Sequence, residues 1–267
     1  MRKLKLCLMA ATLVCGASLF TGCVEVQDDN PAPEGSSMMP VAGAVKDGFI
    51  DIEEVFAAVA DSERVVFLLR HGERGPNYSS TGGLTQNGKL QAQNVGIKIK
   101  NGEVAFYAHS DYMRTTQTCE NIAIGRGDNS YVIEEWPFLS GNWYKKDSKV
   151  ISGNGWESWE SVSRWEYGVE GDEKGKYSEG FYELYERSEL WIDSLKTHLP
   201  SMKRINVLVS HDMLVSAMVV YVTNKRVDLR YYENEKWINY LAGLAIIIDP
   251  KGNMTFIPVR GLDSGVM

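Results

Sequence analysis

Two apolar rhythms alternate along this chain, short unbroken runs and helical spacings. Ile50, Ile52, Val55, Phe56 and Val59 repeat at a spacing that predicts an opening amphipathic helix over 50–60. Val65-Val66-Phe67-Leu68-Leu69 has no polar face and is short, so it reads as a strand buried on both sides. A loop rich in Gly, Ser and Pro covers 75–83. Thr85 then suits the N-cap of a helix running to about Lys100, which Asn101-Gly102 would end. A second strand is predicted over 104–108 and a helix over 115–124, stopped by Gly125. Phe181, Leu184, Trp191, Ile192 and Leu195 mark a long amphipathic helix that leads to a third strand at 205–209. An apolar helical stretch follows at 213–222, and 244–248 with 255–259 flank a turn at 249–253 as a closing hairpin. Strands alternating with helices predict a three-layer α/β/α sandwich around a mostly parallel central sheet.

One stretch breaks the rhythm. Residues 131–188 carry Trp136, Trp143, Trp156, Trp159 and Trp165 among Glu, Gly and Ser, with no sustained period. This segment is expected to be an insertion that caps the sheet's ligand edge. Its tryptophans are expected mainly to pack cap against sheet, with an aromatic wall for substrate as the other reading.

The chain's start is read apart from the fold. Arg2, Lys3 and Lys5 precede an apolar stretch over 6–20, and Thr21-Gly22-Cys23 closes it with small residues. That order predicts a bacterial secretory signal over 1–23, with Cys23 as the lipidation site of an exported, envelope-anchored lipoprotein. Residues 24–40 hold acids, prolines and serines, which predicts a disordered tether. The rest, 41–267, suits one domain with a sizeable core. Cys7 and Cys15 fall inside the signal, so only Cys119 remains in the domain, as a small buried apolar residue with no disulfide partner. The signal takes three basic residues and no acid with it, so the formal charge of −7 becomes −10. An acidic body argues against nucleic acid as a partner. Oligomeric state is left open.

The chemistry sits where the strands end. Arg70-His71-Gly72-Glu73-Arg74-Gly75-Pro76 follows the first strand directly, at the edge where open α/β sheets bind ligands. Arginine offers a planar fork of donors matched to phosphate oxygens, and histidine can attack phosphorus or move a proton. The second strand opens into His109-Ser110-Asp111-Tyr112-Met113-Arg114, and the third into Ser210-His211-Asp212. The chain has only four His, so their placement at such ends is not a matter of composition. His109 and His198 are read as ordinary. No His/Cys/Asp cluster at ligand spacing suggests a metal, and no cofactor is expected.

Together these segments resemble the histidine phosphatase superfamily, which includes the phosphoglycerate mutases and the histidine acid phosphatases. Arg70-His71-Gly72 is similar to its signature, Leu84-Thr85-x-x-Gly88-x-x-Gln91 to the segment that follows. Arg114-Thr115-x-Gln117-Thr118-x-Glu120 resembles the segment with its second arginine, and Ser210-His211-Asp212 its late histidine motif. The resemblance implies a phosphoglycerate mutase-like fold and a metal-independent phosphomonoester hydrolase acting on a small phosphorylated substrate. His71 would be the nucleophile that forms phosphohistidine. Arg70, Arg114 and a protonated His211 would grip the phosphate, and Arg74 would add a contact or instead pair with Glu73 or a cap carboxylate. The proton donor is Asp212 on the acid phosphatase pattern, or Glu134 or Glu135 on the mutase pattern. A mutase or phosphotransferase of the same superfamily, and a phosphoanion-binding lipoprotein without turnover, are the alternatives.

Overall fold

A computed structural model describes residues 45–169 and 175–267. The signal, Cys23, the tether over 24–40 and the domain's first residues, 41–44, lie outside the described residues. Among the described residues no helix is long and apolar enough to cross a membrane.

In chain order the elements are β1 (Ile50–Asp51), α1 (Ile52–Ala58), β2 (Arg64–Arg70), α2 (Gln86–Lys98), β3 (Phe106–His109), α3 (Met113–Arg126) and β4 (Ile133–Glu135). A short 3₁₀ turn, α4 (Ser148–Asn154), α5 (Trp159–Tyr167) and α6 (Leu184–His198) follow, then β5 (Ile205–Ser210), α7 (Asp212–Val222), α8 (Tyr231–Asn234), β6 (Ala242–Ile248) and β7 (Met254–Arg260). The seven strands form one sheet in the order β1-β7-β6-β2-β5-β3-β4. β2, β5, β3 and β4 run parallel, and the β6–β7 hairpin joins them antiparallel at β2. The fold is therefore the mixed, mostly parallel α/β sandwich that the strand–helix alternation predicts.

Side-chain alternation builds two cores from one sheet. Val65, Phe67 and Leu69 of β2 join Ala92, Val95, Cys119 and Ile122 of α2 and α3. Val66 and Leu68 face the opposite way and meet Leu214, Val215 and Met218 of α7 with Trp191 and Leu195 of α6. Burying each such aliphatic side chain contributes roughly 1.5–3 kcal/mol. Both faces of β2 are thus covered, which is why its run is apolar without alternation. Cys119 is fully buried and unpaired.

Two local expectations are corrected. Ile50 belongs not to a helix but to β1, a two-residue strand paired parallel with Val259 and Arg260 of β7, and the helix starts at Ile52 with Asp51 as its N-cap. Gly125 does not stop α3; the helix runs on to Arg126, and Gly127 takes the left-handed C-cap conformation at φ 77°. Gly125 serves packing instead: a Cβ there would lie 1.9 Å from the Gln93 carbonyl oxygen, so the residue lets α2 and α3 touch backbone to backbone.

Within 131–188, β4 is the edge strand of the sheet, hydrogen-bonded to β3. Beyond β4, Phe138, Tyr144, Ile151, Val162, Trp165, Tyr177 and Phe181 pack in one cluster with residues of α6 and α7. Trp136 and Trp165 are buried there, whereas Trp143, Trp156 and Trp159 are half-buried.

Candidate active site

Sheet order places the site. β2, β5 and β3 are adjacent and parallel, with Arg70 opposite Ser210 and His109 opposite Val209. Their carboxyl ends therefore stand side by side, about 5 Å apart. Arg70 continues the Val66–Leu68 face toward α7, and His71 continues the Val65–Leu69 face toward α3.

His71 and His211 approach to 5.4 Å between ring centres, and Arg114 lies between them. Arg114 Nε donates to His71 Nε2 at 3.2 Å, and the Arg114 Nη2 is 3.3 Å from His211 Nδ1. The other nitrogen of each ring is fixed from behind. His71 Nδ1 sits 2.8 Å from the Gly72 carbonyl oxygen, which can only accept, so the proton is on Nδ1 and the lone pair on Nε2. His211 Nε2 is 2.8 Å from Ser110 Oγ, itself 3.0 Å from Thr115 Oγ1. The Tyr112 ring packs edge-on to His211 at 4.7 Å and lies 4.2 Å from the Arg114 guanidinium carbon.

Arg70 is placed behind this group, 1% exposed. Its Nη2 forms an ion pair with Asp212 at 3.4 Å, its Nη1 donates to the Ile238 carbonyl, and Tyr240 covers the guanidinium at 4.2 Å. Its Nε is buried with no partner among the described residues, a donor left over in a pocket of cations. Asp212 opens α7 directly after His211. Its Oδ2 also accepts from the indoles of Trp159 and Trp237, each at 3.2 Å, and its side chain is a quarter exposed.

These surroundings set the charges. Burial pushes the His71 imidazolium well below the ordinary histidine range, and Arg70 and His211 push it the same way. His211 falls to about 3, through burial and the neighbouring Arg114. Both rings are therefore neutral at ordinary pH in the unliganded site. Asp212 is pulled the other way. Burial would raise it, but Arg70, then His71 and the Trp237 indole, hold it well below the usual carboxylate range.

The other predicted residues divide. The Arg74 guanidinium stacks on Tyr78 at 3.7 Å and donates to the Gly75 carbonyl. It has not paired with Glu73, whose carboxylate accepts from Thr85 Oγ1 at 2.6 Å and Asn87 Nδ2 at 2.8 Å. Glu134 accepts from the Trp136 indole at 2.9 Å, and Glu135 is exposed on the edge strand. Neither touches His71, Arg114 or His211. His109 hydrogen-bonds Thr116 Oγ1, and the His198 ring packs on Trp136 at 4.4 Å. Ser110, Tyr112, Trp159, Trp237 and Tyr240 carry no motif and reach the site only through the fold; the indole of Trp159 was expected to pack, and it also binds Asp212.

An open cleft of about 470 Å³ leads away from Arg114, His211 and Asp212. Tyr112, Met213 and the cap turn Gly141, Asn142 and Lys145 form its other walls. A Cβ on Gly141 would lie 3.0 Å from His211, so a larger residue there would have to shift the ring or the cap turn by a few tenths of an ångström. Chemically, the group offers one nucleophilic nitrogen, two guanidiniums, a second imidazole able to take a proton, and one carboxylate.

The chain belongs to the histidine phosphatase superfamily, branch 1, whose family model matches residues 66–237. Similar solved structures include the phosphoglycerate mutase of Bacillus anthracis str. Sterne, 14% identical over 75% of this chain and 93% of that one, with a TM-score of 0.49. The mycobacterial glucosyl-3-phosphoglycerate phosphatase is 16% identical over 75% and 100%, at 0.46. A phosphoserine phosphatase mutant from Entamoeba histolytica, in complex with phosphoserine, is 18% identical over 73% and 94%, at 0.42. Among curated proteins none matches this sequence.

Proposed function

We propose that this chain is a metal-independent phosphomonoester hydrolase that works through a phosphohistidine on His71. The observation that carries the reading is the fixed tautomer of His71, with Nδ1–H held by the Gly72 carbonyl and the Nε2 lone pair held against Arg114 Nε. A phosphate oxygen would replace that lone pair as the acceptor for Arg114, leaving Nε2 free to attack phosphorus. As the N–P bond forms, the bond from phosphorus to the ester oxygen breaks. Arg70 and Arg114 face the charge on the phosphoryl oxygens. An anion beside His211 would also draw a proton onto its ring and make it a further donor.

The leaving alcohol needs a proton, and Asp212 is the carboxyl in position to pass one. In the free site it is ionised, so the proton has to arrive with the substrate. A phosphate monoanion brought against Asp212 shares its proton with the carboxylate, because two anions in contact do not both stay ionised. Asp212 hands it to the alcohol; water then attacks phosphorus as the N–P bond to His71 breaks, gives a proton to Asp212, and phosphate takes that proton and leaves as its monoanion, so that Asp212 is ionised again.

Purified protein is expected to release phosphate from p-nitrophenyl phosphate in the presence of EDTA and to form an acid-labile, base-stable phosphoenzyme. His71→Ala is expected to abolish both. Turnover that survives this substitution, or needs a divalent ion, would sink the reading.

We further propose that the enzyme is exported and held on the bacterial envelope by lipid on Cys23. The basic start, apolar stretch and small residues before Cys23 support this. Cys23→Ala is expected to move the protein out of the detergent-extracted membrane fraction. A variant that fractionates like the parent would contradict the anchor.

A further inference from the structure

We infer that the cap turn 141–145 forms a second anion subsite, so that the alcohol half of the preferred substrate carries its own carboxylate or phosphate. This rests on reading the cleft as a phosphomonoester site. Asn142 and Lys145 both line that cleft, beside Arg114, His211 and Asp212. Neither side chain makes a hydrogen bond or ion pair among the described residues. Asp212, the carboxylate that shares this lining, is engaged by Arg70 and two indoles rather than by the ammonium. Its chain neighbour differs, since the Lys146 ammonium donates to the Ser178 carbonyl at 3.2 Å.

The turn is held rather than loose. Lys145 N donates to the Asn142 carbonyl at 2.9 Å, and Lys145 bridges Phe181 backbone to backbone. Between them Trp143 and Arg187 exchange two bonds, indole to carbonyl at 3.1 Å and guanidinium to carbonyl at 2.8 Å. Tyr144 is fully buried and bonds Ser188. The turn begins against the His211 ring at Gly141, four residues from Lys145, a span of at most about 14 Å even if extended. Because Asn142 and Lys145 line the same cleft as Arg114 and His211, a small molecule with its phosphate on those two residues directs its other end along the cap turn. One charged donor and one neutral amide donor suit an oxyanion. In an acidic protein, an unpaired cation in the leaving-group path selects for a second negative charge.

Matched probes test this. O-phosphoserine differs from O-phosphoethanolamine by a carboxylate, and glucose 1,6-bisphosphate from glucose 6-phosphate by a phosphate. Each is measured as a competitor of p-nitrophenyl phosphate hydrolysis, and by calorimetry on the His71→Ala chain, where nothing turns over. The doubly anionic member of one pair is expected to bind on the order of tenfold more tightly. The pair that shows the preference names the second group. Lys145→Met should collapse the ratio toward one, and Lys145→Glu should take it below one. Because both members of a pair are read on the same variant, a general loss of fold cancels. Equal binding in both pairs, or a ratio unchanged by Lys145→Met, overturns the subsite. If Lys145→Met weakens both members equally, the lysine holds the reacting phosphate and the inference also fails. A preference seen by calorimetry without any hydrolysis would remove the hydrolase reading and leave the subsite standing.

Discussion

Two carboxylates one turn apart along α7 have opposite fates. Asp212, in the floor of the cleft, faces Arg70 and two indole N–H groups, and it stays ionised far into acid. Glu166 comes from α5 in the cap and packs on the same helix one turn further along, where Ser216 Oγ donates to its Oε1. It is fully buried, and its Oε2 has no partner among the described residues. Burial, with the charge of Asp212 added, raises its pKa well above the ordinary range. The floor therefore stores charge where an anion arrives, whereas the cap keeps its own acid neutral. What separates them is the Arg70 guanidinium with two indole donors against Asp212, and the full burial of Glu166 with a single hydroxyl donor.

The largest effect expected from breaking this contrast falls on Asp212→Asn. The amide keeps the size and can still accept from Arg70, so the site should hold its shape. What disappears is a carboxyl able to carry a proton. Turnover of alkyl phosphates, whose alcohols leave poorly, should fall by roughly 10²–10⁴-fold, whereas p-nitrophenyl phosphate, whose phenolate needs no acid, should lose far less. Equal losses on both substrates would mean that Asp212 only positions Arg70. The pH profile adds a sign. At neutral pH free Asp212 is ionised and both histidines are neutral imidazoles, so the one proton needed is the substrate's own. The kcat/KM for an alkyl phosphate should then fall about tenfold per pH unit above the substrate's second pKa near 6. A substrate with a lower second pKa should shift the break down with it. A break that stays put would assign the proton to the enzyme.

The floor was legible before the fold because each of its strands is an apolar run that ends on its chemistry. His71, Arg114 and His211 needed only the strand order to meet. The cap was not, and the reason is physical. Trp159 and Trp237 find Asp212 across 53 and 25 residues of chain, and nothing in the local spacing of a half-buried tryptophan tells a donor from a packing group. β1 is missed for a related cause, since two residues carry no period and its partner lies at the far end of the chain. Gly125 looked like a helix stop because glycine usually is one near a helix end, and only the presence of Gln93 on α2 reveals its other use. The neutral resting ring of His211 was not legible in the sequence, because burial beside Arg114 is a property of the pocket and not of the motif.

The smallest expected effect is on stability alone, and it tests the cap's half of the contrast. In the unfolded chain Glu166 ionises near pH 4.5, but in the folded protein it stays protonated to a higher pH. Its raised pKa leaves stability intact below 4.5 and erodes it as pH rises toward the folded value, because only the unfolded state gives up the proton. Glu166→Gln keeps an acceptor for Ser216 and cannot ionise. The variant should match the parent near pH 4 and melt at a higher temperature than the parent at pH 8, with the gap widening as pH rises between them. Thermal melts across pH 4–8 read this directly. If the parent is instead the more stable protein at pH 8, Glu166 is ionised in place and must have found a cation or water there. If stability behaves as expected but alkyl phosphate turnover drops, the neutral acid in the cap is passing protons toward Asp212, and the two carboxylates form one system.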